Sequence, residues 1–220
     1  MRLKLINCGL ALLLVCAFFI AGGCKNLLGV IAAKTVGETV YPKYTPVKDQ
    51  PMLVLAENYQ NLAASSQDAD QLARYVCQNL ERKQVAPLID PALAMDMRSK
   101  DPTGFRKMTI TQVGETLGAR QVLYISILND AIEDATGAEF RRAEAVARVR
   151  IVDVQTGETR WPVEASEGYP VSSKTPVTKI VDENDEAELK RAVNMRLGGT
   201  IARLFYKYKT DEEGDKAFGQ

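Results

Sequence analysis

The chain has 220 residues, in which 28 lysines and arginines balance 28 aspartates and glutamates, and it contains no histidine. Balanced charge offers no overall basic field for nucleic acid or for an acidic membrane surface. The missing histidine excludes a serine–histidine triad and removes the commonest transition-metal ligand and the usual switch near neutral pH.

The amino terminus has the three parts of an export signal. Arg2 and Lys4 form a basic start, Leu5 to Ile20 is uncharged with only Asn7 strongly polar, and Ala21-Gly22-Gly23-Cys24 is a small-residue exit. The apolar run is shorter than the roughly 18–20 residues needed to span hydrocarbon. An ordinary signal cut near Ala21 and an uncleaved anchor are the competing readings. The Ala21–Cys24 string resembles the lipobox of bacterial lipoproteins, with Ala21 where leucine is commonest. The resemblance implies that the Cys24 thiol receives a diacylglyceryl group and that the chain is cut between Gly23 and Cys24. Residues 1–23 are then a removable signal, and the membrane is a partner through the lipid on Cys24. Each buried methylene contributes about 0.8 kcal/mol, so two or more acyl chains hold firmly. Lys25, rather than aspartate, follows the cysteine. By the sorting rule of two-membraned bacteria this implies the outer membrane, with the domain facing the periplasm.

Loss of the signal removes Arg2 and Lys4 and leaves a mature net charge of −2. Cys8 and Cys16 leave with it, and lipidation consumes Cys24. Only Cys77 remains, so no intramolecular disulfide forms. Cys77 itself lies beside a helical apolar stripe and reads as a small buried hydrophobe.

Residues 24–50 read as the lipidated terminus and a tether, with Leu27 to Ala33 as its apolar patch and Gly37, Pro42 and Pro46 breaking any period. The domain is expected over residues 51–208, a length that suits one core. Met52 to Ala56 reads as a first strand. Ser65 and Asp68 open a helix whose apolar stripe runs through Leu80 to Arg82. Val85 to Ile89 reads as a second strand. Asp90-Pro91 starts a short helix over Ala92 to Arg98, and Thr111 to Leu117 a further one stopped by Gly118. Gln121 to Leu128 is a buried strand. A polar loop is expected through Gly137. Glu144 to Val154 then alternates, with Ala145, Ala147, Val149 and Ile151 on one face. Gln155 to Glu158 is its turn, and Thr159 to about Ala165 the returning strand, at an edge because of Pro162. Asp182 starts a long amphipathic helix carrying Leu189, Val193, Leu197 and Ile201, with Gly198-Gly199 marking a close approach. Residues 209–220 read as a disordered tail.

The expected fold is therefore α/β (α+β): one mixed sheet of about five strands, packed helices and a long C-terminal helix. Leu117-Gly118-Ala119 leading into Val122 to Ile125, Val149 to Val154 running into Thr156-Gly157-Glu158 and Trp161, and the closing helix together resemble the small α/β domain of envelope proteins. These are the curli-secretion lipoprotein, the penicillin-binding-protein activator lipoprotein and the amino-terminal domain of TolB. The resemblance implies a binding or assembly role and carries over no catalytic residue.

A search for chemistry finds no Gly-x-Ser-x-Gly, P-loop or dinucleotide string, so no catalytic residue and no cofactor is expected. Asp182 to Glu186 lacks the alternating spacing of a calcium loop and reads as a solvated helix start. Asp130, Glu133, Asp134 and Glu139 form an acidic loop composition. Tyr41, Tyr44, Trp161 and Tyr169 fall near the tether and the edge hairpin. Of these, Trp161 and Tyr169 are the candidate partner-binding residues, since aromatics at a sheet edge anchor partner segments. Packing of Trp161 on its own domain is the alternative. The sequence thus reads as a non-enzymatic anchored domain that binds or scaffolds an envelope protein. The competing classes are a carboxylate-dependent envelope hydrolase, which needs two acids about 5–10 Å apart in a cleft, and a structural subunit of an oligomeric complex.

Overall fold

The computed structural model describes residues 38–58, 65–135 and 137–210. Cys24, the signal, the Leu27 to Ala33 patch and the tail beyond Thr210 lie outside them.

The central strand β2 (Met52–Asn58) is buried along Met52 to Ala56 without alternation. A strand buried on both faces must be covered twice, and it is. Met52, Val54 and Ala56 pack with Leu72, Val76 and Leu80 of helix α1 (Ser65–Arg82) and Leu197 of helix α5 (Glu183–Ala202). Leu53 and Leu55 face the other way. They pack with Ala94, Phe105 and Val113, carried by helices α2 (Ala92–Lys100), α3 (Pro102–Phe105) and α4 (Ile110–Thr116). The domain is thus a sheet between two helical layers.

The sheet has seven strands rather than about five, with β3 (Leu88–Ile89), β2, β4 (Gln121–Ala135), β5 (Gly137–Asp153) and β6 (Thr159–Trp161) in spatial order. The strands β7 (Tyr169–Lys174) and β8 (Thr178–Lys179) also pair with β5. β2 runs parallel to β3 and β4, and the remaining pairs are antiparallel.

Several expectations need correction. The second strand covers only Leu88–Ile89, because Val85 is held by a turn to Leu80 O. The expected polar loop before Gly137 is strand: β4 and β5 continue as a long hairpin past a register shift between Ile127 and Asn129. Cross-strand pairs Glu133–Arg142 and Asp134–Arg141 neutralise its charges. The returning strand stops at Trp161, where a cis peptide bond leads into Pro162. The hairpin turn before it holds Gly157 at a φ of 76°, which favours glycine.

Helix α5 begins in a capping box. The Asp182 carboxylate accepts from Asn184 N and Asp185 N, while Asp185 accepts from Asp182 N. The acidic run there is occupied in starting a helix. Farther along, Lys190 reaches Asp68 at 3.9 Å. A Cβ on Gly198 would lie 2.8 Å from Tyr75 Cβ. These two contacts show that α1 and α5 run in the same direction, with Gly198 at their close approach. Gly199 has nothing within 4 Å of such a Cβ. The helix passes into a 3-10 turn, Arg203–Phe205, at its end.

The stretch from Glu38 to Gln50, expected to be tether, is bonded to the domain. The short strand β1 (Thr39–Val40) pairs antiparallel with β9 (Tyr208–Lys209). Lys43 N and Tyr44 N both donate to Leu204 O. The buried Gln121 side chain donates to Val47 O and Gln50 O at 2.9 and 3.0 Å. Among the described residues no helix is long and apolar enough to cross a membrane.

Candidate functional site

The structure brings Trp161 and Tyr169 together. β6 and β7 both pair with β5, so their facing ends converge beside the strap formed by Glu38 to Gln50. The Trp161 and Tyr169 rings stack at 5.2 Å with 28° between planes. Tyr44 stacks on Trp161 from the strap at 6.1 Å, and Phe205 meets it edge-on at 5.6 Å. All three outer rings, Tyr44, Trp161 and Tyr169, are half-buried against the main core. Part of each ring is consumed in holding the strap and the hairpin to the domain. The remaining part forms a small aromatic surface at one end of the sheet. Stacking of this kind adds about 0.5–1.5 kcal/mol per pair beyond area burial.

A polar cluster borders these rings. Arg160, the neighbour of Trp161, donates from Nε and Nη2 to Asp153 Oδ2, and from Nη1 to Gln50 Oε1 at 2.7 Å. Asp153 also accepts from Gln155 N and Thr156 N. Desolvation pushes the Asp153 carboxyl up. The backbone N–H of Thr156, the guanidinium of Arg160 and the backbone N–H of Gln155 outweigh it and hold the group below the usual carboxylate range. This cluster ties strap, β5 and β6 into one corner. Its ion pair was not legible in the sequence; the Asp-x-x-Thr-Gly-Glu turn was the only signal pointing to Asp153.

The acidic residues of the long hairpin do not converge. Glu133 pairs with Arg142, Asp134 with Arg141, and Glu139 with Lys179 at 3.3 Å. Arg141 also meets Glu186 on α5. Asp130 alone turns toward the helices, where burial raises its pKa, Lys190 lowers it and Asp68 raises it. Its Oδ1 is buried without a hydrogen-bond partner. Among the described residues no group of three or more Cys, Asp or Glu side chains is placed to hold a metal ion.

A cleft of about 440 Å³ lies between α1, β3 and the start of α2, lined by Arg74, Cys77, Gln78, Glu81, Leu88 and Asp90. Burial, with the Glu81 and Asp90 carboxylates nearby, pushes the Cys77 thiol up to about 11. It stays protonated and unreactive at neutral pH, as expected of a core cysteine.

No protein-family model matches the chain, and no curated protein matches it. Solved structures do. Lipoprotein GNA1162 from Neisseria meningitidis aligns with 66% of this chain and 94% of its own, at 14% identity and a TM-score of 0.42. The PelC dodecamer from Paraburkholderia phytofirmans aligns over 77% and 96%, at 13% identity and a TM-score of 0.43. A minor lipoprotein from Acinetobacter baumannii aligns over 70% and 90%, at 12% identity and a TM-score of 0.39. At these identities and scores the likeness assigns no site and no activity to this chain.

Proposed function

We propose that the chain is an exported lipoprotein, held to the envelope by lipid on Cys24, whose α/β domain binds or scaffolds another envelope protein without catalysis. The observation that carries this reading is the small-residue string Ala21-Gly22-Gly23-Cys24 at the end of an uncharged run behind Arg2 and Lys4. Cleavage falls between Gly23 and Cys24. Lys25 after the cysteine supports a location in the outer membrane, with the domain facing the periplasm. The resemblance of the sequence to the envelope domains of the curli-secretion lipoprotein, the penicillin-binding-protein activator and TolB supports the binding role. The aromatic surface of Trp161 and Tyr169 is its contact site. Two rigid rings already ordered by stacking lose little side-chain entropy when a partner covers them.

Metabolic labelling with a fatty acid tests the anchor. The label should appear on the wild type and vanish in Cys24→Ala, and unchanged labelling would end the lipoprotein reading. A photo-crosslinking side chain placed at Tyr169 in the native envelope tests the contact site. It should trap a discrete protein adduct that the same probe at the exposed Leu93, on the other helical layer, does not. Identical adducts at both positions would reject the aromatic site.

A further inference from the structure

The described chain begins and ends in one place, and the chemistry there is cationic and aromatic. β1 and β9 form a two-stranded ribbon, Thr39 opposite Lys209 and Val40 opposite Tyr208. On one face of the ribbon Lys207 Nζ sits 5.1 Å from the ring centre of Tyr41, a residue 68% exposed. Alternation along a strand puts Lys209 on that same face. On the other face Arg203 lies over Tyr208 at 5.1 Å and Lys83 over Tyr206 at 5.2 Å, and the two tyrosines meet edge-on at 6.3 Å. Lys43, exposed, follows on the strap. Both faces of the ribbon therefore present cations backed by tyrosine.

We infer that this ribbon docks the domain on the anionic headgroup surface of the bilayer that holds it. The inference rests on the lipid anchor proposed above. Glu38 lies only 14 positions after Cys24. At no more than about 3.3–3.6 Å per residue, that length of chain can reach at most about 50 Å. The ribbon is thus the part of the domain that the anchor brings to the surface first. Lysine and arginine near an anionic leaflet are attracted to it, and tyrosine has an apolar body and a polar tip suited to the interface. Against this attraction stand Glu38 and the acids Asp211, Glu212, Glu213 and Asp215 that follow the ribbon in sequence. The test therefore keeps the full tail.

The mature chain from residue 24, with Cys24→Ala to remove the lipid, is mixed with vesicles of phosphatidylcholine, with or without phosphatidylglycerol, and sedimented. Binding is expected to the anionic vesicles only, and to disappear at high salt. Lys207→Glu with Lys209→Glu should weaken it by about tenfold or more. The neutral pair Lys207→Gln with Lys209→Gln should give a smaller loss and keeps the test valid if charge reversal opens the ribbon. Lys100→Glu with Lys107→Glu, the same charge change on the opposite helical layer, should leave binding within about twofold. Equal binding to both vesicle types, or equal losses from the ribbon pair and the distant pair, would overturn the docking surface. Fatty-acid labelling of Cys24 in cells reads the anchor separately, so the two ideas fail independently.

Discussion

Single residues set the contacts that hold the domain's corners, and their chemistry gives opposite signs at Asp153 and Asp130. An unfolded aspartate titrates near about 3.9. The folded Asp153 carboxyl lies below that value, so its contribution is complete above the unfolded value and is lost as pH falls through the folded one. Asp153→Asn should cost about 1–2 kcal/mol near pH 7. In urea unfolding, its deficit against wild type should shrink as the pH drops below 4. Asp130 is raised instead, chiefly by burial, so its ionised form weakens the fold near neutrality. Asp130→Asn should stabilise near pH 7 and lose that advantage in acid. The two central glycines of α5 make a matched pair. Gly198→Ala drives a Cβ to 2.8 Å from Tyr75 Cβ and should cost about 1 kcal/mol even after the helix-propensity gain. Gly199→Ala meets nothing within 4 Å and should gain about 0.5–1 kcal/mol in the same measurement.

At the scale of elements, sequence legibility followed the strength of the periodic signal. α1 ends at Arg82 as the sequence predicts, because a long apolar stripe carries the helical signal to that point. The strand from Gln121 begins where its β-branched run begins. Its extension to Ala135 was hidden because acids fall on both faces: Asp130 and Asp134 share the inward side with Ile132, and Glu133 lies on the outward side. Asp130, Glu133 and Asp134 look like a loop until the register sets Glu133 against Arg142 and Asp134 against Arg141. β7 was invisible for a similar reason: Tyr-Pro-Val-Ser-Ser-Lys contains a proline and two serines, and only pairing along β5 makes it a strand. Trp161 and Tyr169 were legible as residues but not as a pair, since their stacking depends on β6 and β7 sharing β5. The Gln121 side chain that fastens the strap acts across more than 70 positions, a distance no local pattern encodes. The inward stripe Ala143, Ala145 and Ala147 is wholly buried on the face that α5 covers. Small residues there let the helix settle close to the sheet. Ala145→Leu should therefore cost about 1–3 kcal/mol by overpacking, read as a lowered urea midpoint.

At the scale of the whole molecule, two helical layers and a seven-stranded sheet leave one corner to collect the strap, the hairpin end and the final 3-10 turn. Trp161 sits where all three meet. Trp161→Ala should lower stability by about 2–4 kcal/mol, because a half-buried indole with three aromatic neighbours is removed. Trp161→Phe should recover most of that loss while keeping any docking function of the corner, which separates folding from binding. The strap also has a mechanical meaning. A pull applied at the amino end meets the two-residue β1–β9 ribbon first, then the Leu204 carbonyl, then the Gln121 amide, before it reaches the sheet. Stretched from Glu38, the chain should pay out in small low-force steps ahead of one large rupture. Single-molecule extension would resolve those steps, and Gln121→Leu should delete the last of them. A domain held by such a sequence of weak clasps keeps its core shielded from tension on its amino-terminal end.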